Sequence, residues 1–119
     1  MSVASSPVSD MLVTVKSREM QRGMLAESAG DAQQAATHFL AAAHLELVLA
    51  RDYEQAGYEE LAVRSRVSAA SCFWRGGQSE HARSILSLLR QDHPRQDETV
   101  RSVLTELERD FPTGAESGS

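Results

Sequence analysis

Gly30-Asp31-Ala32-Gln33-Gln34-Ala35-Ala36-Thr37-His38-Phe39-Leu40-Ala41-Ala42 places small or apolar residues five, nine and twelve positions after a turn glycine. Gly77-Gln78 is followed in the same way by Ala82, Leu86 and Leu89. A glycine ends one helix at little steric cost, and small residues on the next helix let it pack closely on the first. Two copies 47 residues apart predict two stacked helical hairpins. The pattern defines an architecture and carries no chemistry of its own.

Working outward, each flank reads as helix. Residues 1–9 are Ser-rich, contain Pro7, and are expected to form a flexible leader. Ser9 or Asp10 is placed to cap a first helix that runs to about Ser28. Met11-Leu12-Val13-Thr14-Val15 would also suit a strand, but a lone strand would leave its backbone unpaired, so helix is favoured. Asp31 caps the second helix, Ala32 to about Gln55, with Gln34 three residues on. Its apolar stripe is Ala35, Phe39, Ala42 or Ala43, Leu47 and Ala50. Gly57 breaks it. The third helix, Tyr58–Arg75, presents Leu61, Ala62, Ser65, Ala69, Cys72 and Phe73 before the Gly76-Gly77 stop.

Ser79 is the expected cap of a fourth helix whose face is Ala82, Ile85, Leu86, Leu88 and Leu89. His93-Pro94 ends it, because the residue before proline disfavours helical geometry. Asp97 is expected to cap a fifth helix, with Val100, Val103, Leu104, Leu107 and Phe111 on one dry face and Pro112 as the stop. Residues 112–119 read as a disordered Gly/Ser tail. The predicted fold is all-α, with antiparallel hairpins, about five helices, and one domain over residues 10–111.

Composition narrows the function classes. The 119 residues are 41% hydrophobic and 24% charged, as in an ordinary globular domain, which argues against wholesale disorder. Three Phe, two Tyr and one Trp against many alanines indicate closely spaced helices. A net charge of −5 supplies no broad basic field for nucleic acid. The lone Cys72 cannot form an internal disulfide and fits a reducing compartment. No signal-peptide core or membrane span is visible, so a cytoplasmic protein with no membrane partner is expected.

The sequence carries no motif for chemistry. His38 and His44 are six residues apart, about 600° of helical rotation, so they point to different sides. No Cys-x-x-Cys, His-x-x-x-His or Glu-x-x-His spacing suggests a metal. Glu59-Glu60 and Asp97-Glu98 open helices, where negative charge suits the helix dipole. No glycine run forms a phosphate loop, and Cys72 has no base beside it in the sequence. An enzyme, a catalytic site, a cofactor and a metal are therefore not expected.

The doubled pattern resembles the tetratricopeptide repeat. Gly30, Asp31, Ala35, Phe39 and Ala42 match its first unit, with Gly23 at the small position of helix A. Gly77, Ala82 and Pro94 match the second, with Ala70 and Phe73 at the small and aromatic positions of its helix A. Leu86 and Leu89 are apolar substitutes. The family period is about 34 residues, so the second helix here is lengthened. Leu47 stands where the first unit's terminal proline would be, and Glu19 and Arg66 replace an early helix-A aromatic. A plain antiparallel bundle is the other fold reading, with the three-helix domain of microtubule-interacting and trafficking proteins a further relative by shape.

The resemblance implies a binding module, an adaptor presenting a groove to a peptide or helix of a partner protein. On the family's pattern the contact surface falls on Met20, Met24 and Glu27, then on Arg64, Val67, Ser71, Trp74 and Arg75. Trp and Arg often carry interface energy, and Met adapts to varied apolar partners. A second reading stands beside it: with the first helix rotated, Met20 and Met24 are core, and Trp74 covers the Gly76-Gly77 turn. Two hairpins also fall short of the three or so repeats usually needed for stability. Either the fifth helix seals the open end or a second copy does, which makes a self-associating homodimer the alternative function.

Overall fold

The computed structural model describes residues 7–113 and shows five helices joined by short turns, with no strand among the described residues. They are α1 (Pro7–Ser28), α2 (Ala32–Gln55), α3 (Glu59–Arg75), α4 (Ser79–Asp92) and α5 (Asp97–Asp110), with a single 3-10 turn at Pro94–Gln96 before α5. The fold is all-α, as the sequence predicts. α1 starts at Pro7, so Pro7–Ser9 of the expected leader are helical. Proline's fixed φ suits a first helical position. Residues 1–6 of the leader and 114–119 of the tail lie outside the described residues.

One turn is used three times. In the α1–α2 connection the Asp31 N–H donates to Ala26 O (2.9 Å) and the Gly30 N–H to Glu27 O (3.0 Å). The α2–α3 connection repeats this with Tyr58 on Tyr53 O and Gly57 on Glu54 O, and the α3–α4 connection with Gln78 on Phe73 O and Gly77 on Trp74 O. Each pairing satisfies carbonyls that the helix end would otherwise leave open. It needs a left-handed residue in the middle, and φ is +78° at Gly30 and +88° at Gly77. Asp31 then caps α2, its Oδ1 accepting from the Gln34 N–H at 3.1 Å, as expected. Ser79 and Asp97 do not cap: each is already the first helical residue, and Gln78 and Gln96 hold the cap positions without a side-chain bond.

Successive helices run antiparallel, so α1, α3 and α5 share one direction. Cross-helix pairs fix this: Gly23 faces Phe39, Gly76 faces Leu40, His93 approaches Glu59, and Arg83 meets Glu108. The Cα trace measures 51 × 31 × 16 Å. The short dimension suits two helix layers at an axial spacing of about 8–10 Å.

Alanine sets the close spacing. Ala42, Ala43, Ala69, Ala70 and Ala82 are fully buried, and Phe39, Phe73, Leu86 and Val100 fill the space around them. A Cβ on Gly23 would lie 2.9 Å from the Phe39 ring, so α1 rests directly on that aromatic. α5 lies against both α3 and α4. It buries Val100 and Leu107, and Val103, Leu104 and Phe111 partly, on the face expected from its spacing. Each full burial contributes about 1.5–3 kcal/mol before entropy is counted. On α4, Leu88 departs from expectation: it is 59% exposed.

Candidate functional site

The three same-direction helices leave an open groove of about 570 Å³. Val13 and Lys16 of α1 form one wall, and Val103, Glu106 and Leu107 of α5 form the other. Glu46 and Tyr53 of α2 contribute the floor. Between the walls α3 presents Leu61, Arg64, Ser65, Val67, Ser68 and Ser71, set at three- and four-residue steps so that they share a face. Serine in a helix interior favours small size over helix propensity, and here it keeps this face open and polar.

A charge lies at the base of the groove. Glu46 is 1% exposed although it sits among the apolar residues of α2. Its Oε2 accepts from Lys16 Nζ at 2.9 Å, and the lysine side chain keeps a fifth of its surface exposed. Burying an isolated carboxylate would cost several kcal/mol, and the ammonium of Lys16 offsets that cost. The pair pins α1 to α2. Burial, followed by the charge of Glu46, pushes the neighbouring Cys72 thiol up to about 11, so it stays protonated and unreactive at neutral pH.

The expected contact residues separate into groups. Arg64, Val67 and Ser71 come together on the groove. Arg64 makes no hydrogen bond or ion pair with any described residue. Trp74 is buried at 4% exposure, and its indole N–H donates to Phe111 O at 2.7 Å. Arg83 stacks on its ring, so Trp74 packs where α3, α4 and the end of α5 meet. Arg75 lies between the Phe39 and Phe111 rings, 4.4 and 4.5 Å from their centroids, and its Nη2 donates to Glu27 Oε1 at 2.6 Å. Arg75 and Glu27 therefore join α1, α2, α3 and the end of α5 in one clasp. Met20 is half-buried against the core, and Met24 is 43% exposed.

The expected contact set lacks Lys16, Glu46, Tyr53, Ser65 and Ser68. Glu46 carried a signal: it falls seven residues after Phe39 and four before Ala50, on the apolar stripe itself. A carboxylate there requires a buried partner. The serines at 65, 68 and 71 repeat at helical spacing and mark the open face.

The histidines sit at helix seams. His38 Nδ1 lies 2.7 Å from Glu19 Oε1, and that bond, with Arg22 on the other carboxylate oxygen, holds the Glu19 pKa below its ordinary 4.5. His44 and His81 pack on Phe73 from α2 and α4. Among the described residues no three metal-ligating side chains converge, and no helix is long and apolar enough to cross a membrane. Comparison of the chain with protein-family models, with curated proteins and with solved structures finds no match in any of the three.

Proposed function

We propose that the chain is a non-enzymatic interaction module, an adaptor of tetratricopeptide-like build, whose groove binds a peptide or helix of a partner protein. The observation that carries this reading is the groove: three same-direction helices line it, and it mixes apolar side chains with a guanidinium that pairs with no described residue. Concave surfaces of this kind follow from stacking helical hairpins. The repeat-like description rests on the doubled glycine and small-residue spacing of the sequence. A cytoplasmic setting belongs to the same proposal, since a single buried thiol suits a reducing compartment.

Photo-crosslinking from within the host tests it. A photoreactive residue at Ser68, in the groove, is expected to capture one protein, whereas the same residue at Val48, 48% exposed on α2, captures none. Equal capture from both sites contradicts the reading.

One observation favours self-association instead. Val8, Met11 and Leu25 on α1 are 61%, 63% and 69% exposed, an unusual density of large apolar side chains on one helix surface. Sedimentation across a wide concentration range separates the two functions. A dimer that Met11→Glu dissolves would support the structural subunit.

A further inference from the structure

The charges of the groove fall into two kinds. Lys16 and Glu46 satisfy each other and are spent on the fold. Arg64 on the α3 face and Glu106 on the α5 wall are exposed, and neither makes a close ion pair with a described residue. Arg109 feels the charge of Glu106 but is itself clasped to Asp110 at 2.8 Å. Arg64 and Glu106 also sit at different levels. α5 runs parallel to α3 with Phe111 beside Trp74. Arg64 lies ten residues before Trp74, and Glu106 five before Phe111. At 1.5 Å per helical residue, the offset along the groove is roughly 7–8 Å. Apolar contact surface from Leu61, Val67 and Val103 lies along the same groove.

We infer that the groove takes a bipolar amphipathic segment of a protein partner. Such a segment carries a carboxylate that seats on Arg64, a cation one to two helical turns away that seats on Glu106, and apolar side chains between them. This rests on the groove reading above and adds the ligand's charge order to it. A ligand of one sign would leave one wall charge opposed by its own kind, which charge complementarity disfavours. The hydroxyls of Ser68 and Ser71, which make no hydrogen bond to a described residue, can serve the segment's polar backbone or side chains.

The test uses the full chain and four fluorescein-labelled synthetic helices that share one apolar face. One has glutamates in its first half and lysines in its second, one is neutral with glutamine at those positions, one is all-acidic and one is all-basic. Fluorescence anisotropy is expected to show the bipolar helix binding the unaltered protein roughly fivefold more tightly than the neutral one, as two partly exposed ion pairs allow. Arg64→Glu makes both groove charges acidic and should shift preference to the all-basic helix. Glu106→Lys should shift it to the all-acidic helix. Both positions are exposed, and circular dichroism checks that the variants stay folded.

Equal binding of all four helices overturns the charge assignment and leaves the groove as a docking surface. Tightest binding of the all-acidic helix to the unaltered protein also overturns it, in favour of a ligand read by Arg64 alone. Absence of binding by every helix overturns both the charge order and the groove reading.

Discussion

α1 and α5 close the two ends of the molecule, yet they are attached in different ways. α5 has 14 residues and buries both Val100 and Leu107. Its surface ion pairs, Arg83–Glu108 and Arg90–Asp97, are about half exposed and contribute little beyond position. α1 has 22 residues and no fully buried large apolar side chain. It rests Gly23 on Phe39 and reaches inward through Lys16–Glu46, Glu19–His38 and Glu27–Arg75. Its apolar residues Val8, Met11 and Leu25 face solvent. A dry contact is non-directional and tolerant of small shifts, whereas an ion pair fixes register. The groove therefore lies between a wall set by packing and a wall set by charge.

Phe39 is where the two attachments meet, so its loss should be the most damaging. Phe39→Ala is expected to cost about 3–5 kcal/mol in urea denaturation, enough to unfold a marginally stable domain. It removes the surface under Gly23 and the ring beneath Arg75 together. A loss below about 1 kcal/mol would mean that α1 does not depend on this contact.

Lys16→Met should come next, at about 2–3 kcal/mol, because it leaves Glu46 buried without its cation while one fifth of the lysine was already in water. Lys16→Met with Glu46→Leu is expected to recover most of that loss. Failure of the double variant to recover would show that the pair is not the link between α1 and α2. Cys72 provides a second readout of opening. Alkylation of the buried, protonated thiol at neutral pH should be slow in the native protein and faster in Lys16→Met, because the weakened seam opens more often. This holds even though losing the Lys16 charge by itself pushes the thiol pKa further up.

Gly77→Val isolates backbone geometry. No atom lies within 4 Å of the Cβ it would add, so the cost comes from φ alone and should be about 1–2 kcal/mol by thermal or urea unfolding. The α5 end should lose stability with it, because α4 no longer leaves the turn cleanly. A neutral result would remove the turn as a determinant of the hairpin.

The smallest effect is the pH response of the α1 seam. His38 and then Arg22 hold the Glu19 pKa down, so its stabilising contribution is full above the ordinary 4.5 and disappears as pH falls through the lowered folded value. Unaltered protein and Glu19→Gln should therefore differ in stability at neutral pH and converge below pH 4.5. A gap that widens on acidification would reverse the sign of that linkage.

These contrasts show what the sequence made legible. The limits of α2, Ala32–Gln55, follow from Asp31 and the apolar spacing, because capping and periodicity are local. In the α2–α3 connection Gly57 signals only a break, because the full small-or-apolar spacing does not follow it (Arg66 stands nine positions on), yet it forms the same turn as Gly30 and Gly77. Non-local partners were harder. Glu46 finds its cation 30 residues upstream, and Trp74 finds its acceptor 37 residues downstream. Arg64, Val67 and Ser71 were legible as a face because they share one helix. Val13 and Val103 joined them only through the stacking of α1 and α5 beside α3.

Amide hydrogen exchange on the unmodified chain tests most directly whether one groove wall is held by charge and the other by a dry core. At low salt, the middle of α1 around Lys16 to Gly23 should exchange with a lower opening free energy than α5 around Val100 to Leu107. Raising the salt should narrow protection in α1 while leaving α5 unchanged. Equal protection of both helices at every salt concentration, or earlier opening of α5, would contradict it.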